Sequence, residues 1–126
     1  LLSRPSLGTR TGARKRIVAI IKKDTGEFVG WSGLKFERVV RKEFDYYDLG
    51  YRLKEEFWGH GYATEAAIAS LNYGFNDIKL KEICAAAASK HKASNIILEK
   101  IGFTPSGTFT YDNELCNWYR LQNPNP

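Results

Sequence analysis

The segment formed by residues 53–66 constrains the fold of this chain more than any other. It reads Leu-Lys-Glu-Glu-Phe-Trp-Gly-His-Gly-Tyr-Ala-Thr-Glu-Ala, so Gly59 and Gly61 come just before an alanine-rich stretch. Glycine adopts left-handed backbone conformations that other residues avoid, and alanine has the highest helix propensity. The segment therefore predicts a strand, a tight glycine loop and a helix in immediate succession.

A loop of this kind can bind an anion. The first N–H groups of a helix lack partners inside the helix and lie at the positive end of its dipole, and glycine lets the backbone approach a phosphate closely. Taken alone, a Gly-x-Gly pair is equally consistent with a simple turn. Two known phosphate-binding patterns are excluded, because Thr64 replaces the third glycine of the dinucleotide-binding spacing and no Gly-Lys-Ser/Thr occurs.

Outside the alanine run at residues 81–89, the chain predicts the element order β-β-β, loop, helix, and then a second helix and β-β. In the first helix Ala67, Leu71 and Phe75 recur every four residues and share one face. Turn residues mark hairpin turns at 24–27 and 112–113 and a further turn at 105–107. The predicted strands cover residues 17–22, 28–36, 44–54, 108–111 and 114–121, and the predicted helices cover residues 63–75 and 93–101.

The alanine run within residues 81–89 leaves two interpretations open. Alanine favours a helix, and no Gly or Pro separates the run from the helix predicted at 93–101. The residues alone therefore allow either one long helix or a strand followed by a helix.

Composition is that of a single globular domain. The 126 residues are 43% hydrophobic and fit one domain over residues 1–126. No apolar run approaches the ~18 residues that span a bilayer, so no membrane segment is expected. Cys84 and Cys116 are not closely spaced, which predicts free thiols in a reducing cytoplasm.

The basic residues cluster near the start of the chain. The net charge is +5, and the densest group is Arg10, Arg14, Lys15 and Arg16. Glycine and proline nearby indicate that residues 1–16 are a mobile arm or the remnant of a longer N-terminus. A solvated tail explains this cluster better than a phosphate-binding arm.

Two stretches of the sequence resemble the GNAT superfamily of N-acetyltransferases, and the RimJ/RimL-like branch in particular. The first is residues 48–53 (Asp-Leu-Gly-Tyr-Arg-Leu) followed by 58–66 (Trp-Gly-His-Gly-Tyr-Ala-Thr-Glu-Ala). The second is residues 93–103 (Ala-Ser-Asn-Ile-Ile-Leu-Glu-Lys-Ile-Gly-Phe). The hairpin at residues 26–34 is also similar to that family. The resemblance covers roughly residues 17–121, and the order and separation of the two signatures make it specific.

The resemblance implies both a fold and an activity. The fold is α+β (mixed α/β), a mostly antiparallel twisted sheet with a central splayed pair of parallel strands, flanked by helices. The alanine run is then a strand. The activity is transfer of an acetyl group from acetyl-CoA to a primary amine, of a protein N-terminus or a small molecule, in a ternary complex and without a metal. The acceptor stays open, as does the oligomeric state, with a homodimer among the options.

The resemblance also implies which residues bind the cofactor. The pyrophosphate loop would comprise Trp58, Gly59, His60, Gly61, Tyr62 and Ala63, with Thr64 following in the helix. In the strand before it, the backbone of Tyr51 would face the acetyl carbonyl and that of Leu53 the pantetheine amide, with Arg52 between them. His91 stands where the family usually has Asn. Trp58 departs from the usual Gln or Arg, which removes a side-chain contact and leaves the backbone cradle.

The resemblance also implies candidate catalytic residues. Ser94 would stabilise the departing thiolate, because Leu98 occupies the place where many relatives have tyrosine; equally, Ser94 would only cap its helix. An amine of pKa ~10 benefits from a general base, and Asp48, Asp112 and Glu114 are the candidates. Each of these carboxylates can also be read as a surface residue.

Other functions fit the residues less well. Trp31, Trp58 and Trp118 on a basic chain allow an RNA-binding module, but aromatics of the core or of its rim explain them more simply, so nucleic acid is not the expected partner. A protein that binds CoA without catalysis is a further alternative. Neither cysteine has a histidine at a recognisable spacing for acyl-enzyme chemistry, and the scattered His and Cys residues show no metal-binding pattern.

Overall fold

The computed structural model describes residues 2–3, 15–37 and 45–125. Within them the chain forms a sheet in the order β1-β2-β3-β4-β5-β7-β6 and two α-helices. All neighbouring strands are antiparallel except β4 and β5, which are parallel. This confirms the predicted fold class. The elements are β1 Leu2–Ser3, β2 Lys15–Lys22, β3 Phe28–Glu37, β4 Tyr46–Leu53, α1 Tyr62–Asn72, β5 Glu82–Ala88, α2 Lys92–Lys100, β6 Thr104–Tyr111 and β7 Glu114–Gln122.

The parallel pair in the middle of the sheet separates along its length. β4 and β5 are paired at Asp48 and Cys84, while the outer edge of β4 pairs with β3 as far as Leu53 and that of β5 pairs with β7 as far as Ala88. The two inner edges therefore diverge beyond Asp48. We call the space between residues 50–53 and residues 85–88 the β4/β5 gap.

Both helices pack on the same face of the sheet. The main core cluster includes Ala67, Leu71 and Phe75, which confirms the predicted helix face. Burial of this apolar surface is the main favourable term in folding. A smaller cluster of Tyr46, Cys84 and Trp118 lies on the opposite face. The other members of the main cluster are Leu34, Leu49, Ile83, Ala85, Ala87, Leu98, Phe103 and Tyr119.

The alanine run is a strand, as the family resemblance predicted. Ile83, Ala85 and Ala87 are buried in the main cluster, whereas Ala86 is exposed. This alternation, with pairing to β7 along the whole strand, overrides the helix propensity of alanine, because tertiary context decides such short segments.

The turn predicted at residues 105–107 is wrong. Pro105 and Gly107 lie inside β6, and the pairing with β7 shifts register between Pro105 and Thr108. β6 is at the edge of the sheet, where proline and an irregular register are tolerated. Two turn residues therefore mark a bulge here and do not end the strand.

Two other predicted boundaries differ from the structure. The first helix ends at Asn72 and continues as a π-helical turn, Tyr73–Asp77. In the predicted arm, Leu2–Ser3 pairs with β2 and β2 begins at Lys15, while residues 4–14 lie outside the described residues, as does residue 44. Across the described ranges, no helix is long and apolar enough to cross a membrane.

Candidate functional site

The loop between β4 and α1 is anchored at both ends and exposed in the middle. Phe57 and Tyr62 are buried with their ring centroids 6.0 Å apart, and both belong to a cluster with Leu53 and Ala66. Residues 58–61 between them are exposed. The apolar anchors therefore hold the loop against the sheet while presenting its backbone to solvent.

Two glycines in this loop have backbone conformations that favour glycine. Gly59 has φ +78° and Gly61 has φ +82°, in the left-handed region that other residues enter only at a cost. A Cβ atom at either position would meet nothing within 4 Å. Backbone conformation, not crowding, therefore requires glycine here, and the side of the loop where each Cβ would lie is open.

The start of α1 is suited to an anion. Gly61 is the N-cap and no side-chain hydrogen bond caps the helix. The first helical bond runs from Glu65 N–H to the Gly61 carbonyl at 3.0 Å, so the N–H groups of residues 62–64 precede it. Such groups, at the positive end of the helix dipole, are the donors that bind phosphate. The first turn of α1 is therefore open and has no side-chain cap.

Trp58 and His60 complete the loop with contacts of their own. The Trp58 Nε1–H donates to the Leu53 carbonyl at 3.0 Å, and its ring is 57% exposed. His60 Nδ1 lies 2.9 Å from the Trp58 carbonyl oxygen, and the ring stacks on Tyr62 at 5.6 Å. Trp58 thus ties the loop to the end of β4, where the family's usual Gln or Arg would offer a side chain to the ligand. His60 is exposed.

The inner edge of β4 presents main-chain groups to the gap. Lys54 N–H donates to the Val29 carbonyl at 2.9 Å, and a Cβ on Gly30 would come within 2.1 Å of the Arg52 carbonyl oxygen. Residues 52 and 54 therefore point their main-chain groups at β3. Because these groups alternate along a strand, those of Tyr51 and Leu53 point into the gap. An extended ligand that carries amides can pair with such an edge.

The start of α2 forms the other side of the gap, next to β5. Ser94 Oγ lies 3.3 Å from Tyr51 Oη, so a side chain of α2 meets a side chain of β4. No side-chain hydrogen bond caps α2, whose N-cap is the exposed His91. Ser94 therefore faces Tyr51 and does not act as a cap.

A hydrogen-bond network that sequence analysis missed fixes the start of α2. The Asn95 side-chain nitrogen donates to the Ala88 carbonyl at 3.0 Å and the His91 carbonyl at 2.8 Å. Its oxygen accepts from Asn117 Nδ2 at 2.8 Å and from the Tyr119 hydroxyl at 2.6 Å. The strand alternation that places residues 117 and 119 on one face was the available signal, but it does not name a partner.

The three candidate carboxylates lie in different places. Asp48 stands at the closed end of the gap, level with Cys84, on the face opposite to Tyr51 because side chains alternate. Glu114 forms an ion pair with Lys90 at 3.0 Å. Asp48 is level with Arg120 of β7, because Cys84 pairs with both residues. Arg120 is six residues from Glu114, so Asp48 and Glu114 are about 20 Å apart along the strand direction. Asp112 is exposed in the β6–β7 turn with φ +51°.

Asp48 has the electrostatics of a proton acceptor. Burial raises the pKa of its carboxyl from 3.8 to about 7, the nearby Glu37 carboxylate adds to the rise, and Lys35 opposes it. A group with a pKa near the working pH can both take and release a proton. Asp48 therefore lies next to the gap and has a pKa that suits a proton acceptor.

The cysteines and the remaining predicted residues have unremarkable surroundings. Cys84 is buried, and burial raises the pKa of its thiol to about 12, so it is not a thiolate nucleophile at neutral pH. Arg52 is exposed and Thr64 is half-buried. In the part of the chain that the structure describes, no group of three or more His, Cys, Asp or Glu could hold a metal ion.

Comparisons with known proteins agree with this geometry. The family model described as an acetyltransferase (GNAT) domain matches residues 6–104. The chain is 35% identical over 103 residues to the uncharacterized protein YkkB of Bacillus subtilis, covering 82% of this chain and 59% of that protein. It is 33% identical over 88 residues to FsC-acetyl coenzyme A-N(2)-transacetylase of Aspergillus fumigatus, covering 67% of this chain and 37% of that protein.

The fold also has solved counterparts. A GNAT-family acetyltransferase from Bacillus anthracis superimposes with a TM-score of 0.72 at 28% identity, covering 90% of this chain and 69% of that one. The chain spans 59% and 37% of the length of the two curated relatives above. The family model nevertheless covers most of the sequence, from the arm through β6's first residue, and includes the glycine loop and both helices. The chain therefore belongs to the GNAT acetyltransferase family.

Proposed function

We propose that this chain binds acetyl-CoA in the β4/β5 gap and moves its acetyl group to a primary amine. One observation supports this most strongly: the diverging inner edges of β4 and β5 lead directly to the uncapped, glycine-flanked start of α1. An edge for an amide-containing arm and a site for a diphosphate are thus joined in one continuous path. The name of the Aspergillus relative, an acetyl coenzyme A transacetylase, supports the same substrate.

The binding residues follow from this path. The N–H groups of residues 59–64 would hold the pyrophosphate, with Gly59 and Gly61 allowing close approach. The main chain of Tyr51 and Leu53 would pair with the pantetheine arm. The Leu53 carbonyl already accepts from Trp58, and its second lone pair can accept a ligand amide. His91, Arg52 and Thr64 border the path and stay predicted contacts.

The chemistry divides between the two faces of the sheet. When bound, acetyl-CoA supplies an acetyl group activated as a thioester. Asp48 on one face, with its raised pKa, would take a proton from the incoming ammonium, through water or directly. Ser94 lies on the other face, where it contacts Tyr51, and would stabilise the departing thiolate. Because Asp48 and Ser94 would act from opposite faces of the sheet, the thioester would lie in the gap between them.

The acceptor and the setting are predictions at a finer level. The second signature, residues 93–103, favours the RimJ/RimL-like branch and hence a protein N-terminus as acceptor, with small-molecule amines as the alternative. The free thiols Cys84 and Cys116 are consistent with a reducing cytoplasm. Assembly as a homodimer stays a prediction.

Binding and turnover can be tested in one series. Calorimetric titration with acetyl-CoA, CoA and a short RNA comes first, followed by thiol release from acetyl-CoA with peptides bearing free N-termini, polyamines and amino acids. We expect binding of both CoA species and thiol release with at least one amine. Binding without turnover on any amine indicates a CoA-binding protein only. Binding of RNA and not of CoA contradicts the proposal.

A further inference from the structure

Tyr51 and Ser94 share a hydrogen bond across the β4/β5 gap. The Tyr51 Oη atom on β4 lies 3.3 Å from the Ser94 Oγ atom on α2, and either can be the donor. Two hydroxyl groups carry two protons, and the bond between them uses one. Whichever way the bond runs, one O–H of the pair is left to donate to a third atom.

The pair is held in place by its surroundings. Tyr51 is half-buried and packs against the main core cluster. Leu98, one turn after Ser94 on α2, is 2% exposed. Burial raises the pKa of the Tyr51 phenol above its ordinary value of 10.0, and the Ser94 hydrogen bond lowers it in part. At neutral pH Tyr51 is therefore protonated and serves as a donor.

We propose that Tyr51 and Ser94 act as one donor unit for the departing sulfur of CoA, with Tyr51 as the positioning residue; this rests on the proposed function above. The amine nitrogen bonds to the acetyl carbon, the bond from that carbon to sulfur breaks, and its electron pair stays on sulfur. The spare O–H of the pair donates a hydrogen bond to this thiolate. The ammonium gives one proton to the base on the other face before the attack, and the proton that the nitrogen loses as the amide forms passes to solvent.

Hydrogen bonding, without proton transfer, is the consistent chemistry for this pair. A thiol, with an ordinary pKa of ~8.5, is a stronger acid than a phenol of ~10, so the thiolate does not take the tyrosine proton outright. Hydrogen bonds to a charged acceptor are stronger than neutral ones, and a chain of two hydroxyls polarises the terminal O–H further. The pair therefore favours the thiolate as product.

Tyr51 also restricts what Ser94 can do alone. A serine in the first turn of a helix can turn its hydroxyl back to a main-chain carbonyl of that helix. The hydrogen bond to Tyr51 instead holds the Ser94 hydroxyl toward β4. Loss of the Tyr51 hydroxyl should therefore remove most of the effect of Ser94, although the serine is still present.

The test measures the thiol of bound CoA, which requires no knowledge of the acceptor. The thiolate is titrated by its ultraviolet absorption, as a difference against CoA-free protein, in wild type, Tyr51→Phe, Ser94→Ala and the double variant. The matched control is Tyr47→Phe, a neighbouring tyrosine of β4 whose ring packs on Phe36 at 5.0 Å. We expect wild type and Tyr47→Phe to lower the pKa of the bound thiol by about one unit relative to the other three.

Steady-state kinetics on an active amine add a second readout. Tyr51→Phe and Ser94→Ala should each lower kcat roughly tenfold, with CoA affinity within about twofold of wild type, and the double variant should be no worse than either single variant. Equal thiol pKa values in wild type and Tyr51→Phe would overturn the donor unit and leave acetyl transfer standing. Failure of wild type to bind CoA would instead overturn the proposed function.

Discussion

Two strand–helix units lie on either side of the gap. In the open unit, β4–α1, and the fastened unit, β5–α2, the helices begin in opposite ways. α1 follows β4 through an exposed glycine loop, and no side-chain hydrogen bond caps its start. α2 follows β5, and the Asn95 side chain ties its first turns to β5 and β7 with hydrogen bonds to Ala88, Asn117 and Tyr119. One start is left open, and the other is fastened to the sheet.

This difference matches what each helix start is proposed to supply. Main-chain N–H groups are aligned by the helix itself, so α1 can offer them without help from side chains. A side-chain donor such as Ser94 is useful only if its helix is held still, because catalytic hydrogen bonds depend on fixed geometry. The Asn95 network provides that restraint in α2, and α1 needs no equivalent.

The largest expected effect on stability comes from removing the side-chain hydrogen bonds that hold the start of α2. Asn95→Leu removes the oxygen that accepts from the hydroxyl of Tyr119, a residue only 2% exposed, and it removes the hydrogen bonds to Ala88 and Asn117. We expect the free energy of unfolding to fall by about 3 kcal/mol, measured by urea denaturation.

The matched control for this variant lies in the other unit. Asn72 is exposed at the end of α1, and Asn72→Leu should change the free energy of unfolding by less than about 0.5 kcal/mol. If Asn95→Leu costs no more than Asn72→Leu, the start of α2 is not held by its side-chain network and the comparison fails.

The next effect is the contribution of Asp48, on β4, to the pH dependence of the protein's stability. The pKa of Asp48 is raised from 3.8 to about 7, by burial first and by Glu37 second. Between these values the folded state binds more protons than the unfolded state, so stability falls as pH rises from about 4 to about 7 and is level above. Asp48→Asn should remove this fall. Its free energy of unfolding relative to that of wild type should therefore rise by about 2 kcal/mol between pH 5 and pH 8.

Thermal denaturation across that pH range measures the difference directly. The same substitution at the exposed Asp24, in the β2–β3 turn, should leave the pH dependence of wild type unchanged. If stability depends on pH equally in wild type and Asp48→Asn, Asp48 ionises in the folded protein as it does in water. The argument for Asp48 as the base would then fail.

The sequence predicts the open unit better than the fastened one. The glycine loop and the helix after it are local patterns, so residues 58–66 were readable without the fold. The contact of Tyr51 with Ser94 and the hydrogen bonds of Asn95 to Asn117 and Tyr119 join residues separated by 22 to 43 positions. No local pattern encodes such partners, because strand register and helix placement must be known first.

The same distinction explains two elements that local preference does not predict. Pro105 and Gly107 are turn residues by local preference, but pairing with β7 carries the strand through them with a register shift. The alanine run 85–88 is helical by propensity and becomes a strand because β7 pairs along it. In both cases the deciding partner is distant in sequence, and the family resemblance supplied only the second answer.

The smallest stability effect, about 1 kcal/mol, separates backbone strain from ligand binding in the open unit. Gly61 and Gly26 have similar left-handed conformations, φ +82° and +75°, and a Cβ at either meets nothing within 4 Å. Alanine at each position should therefore cost the same stability. Only Gly61→Ala places a methyl group on the proposed phosphate loop, so it alone should weaken CoA binding, roughly tenfold by calorimetry. Equal CoA affinities for the two variants would mean that the uncapped start of α1 does not bind the diphosphate, whatever the fold resembles.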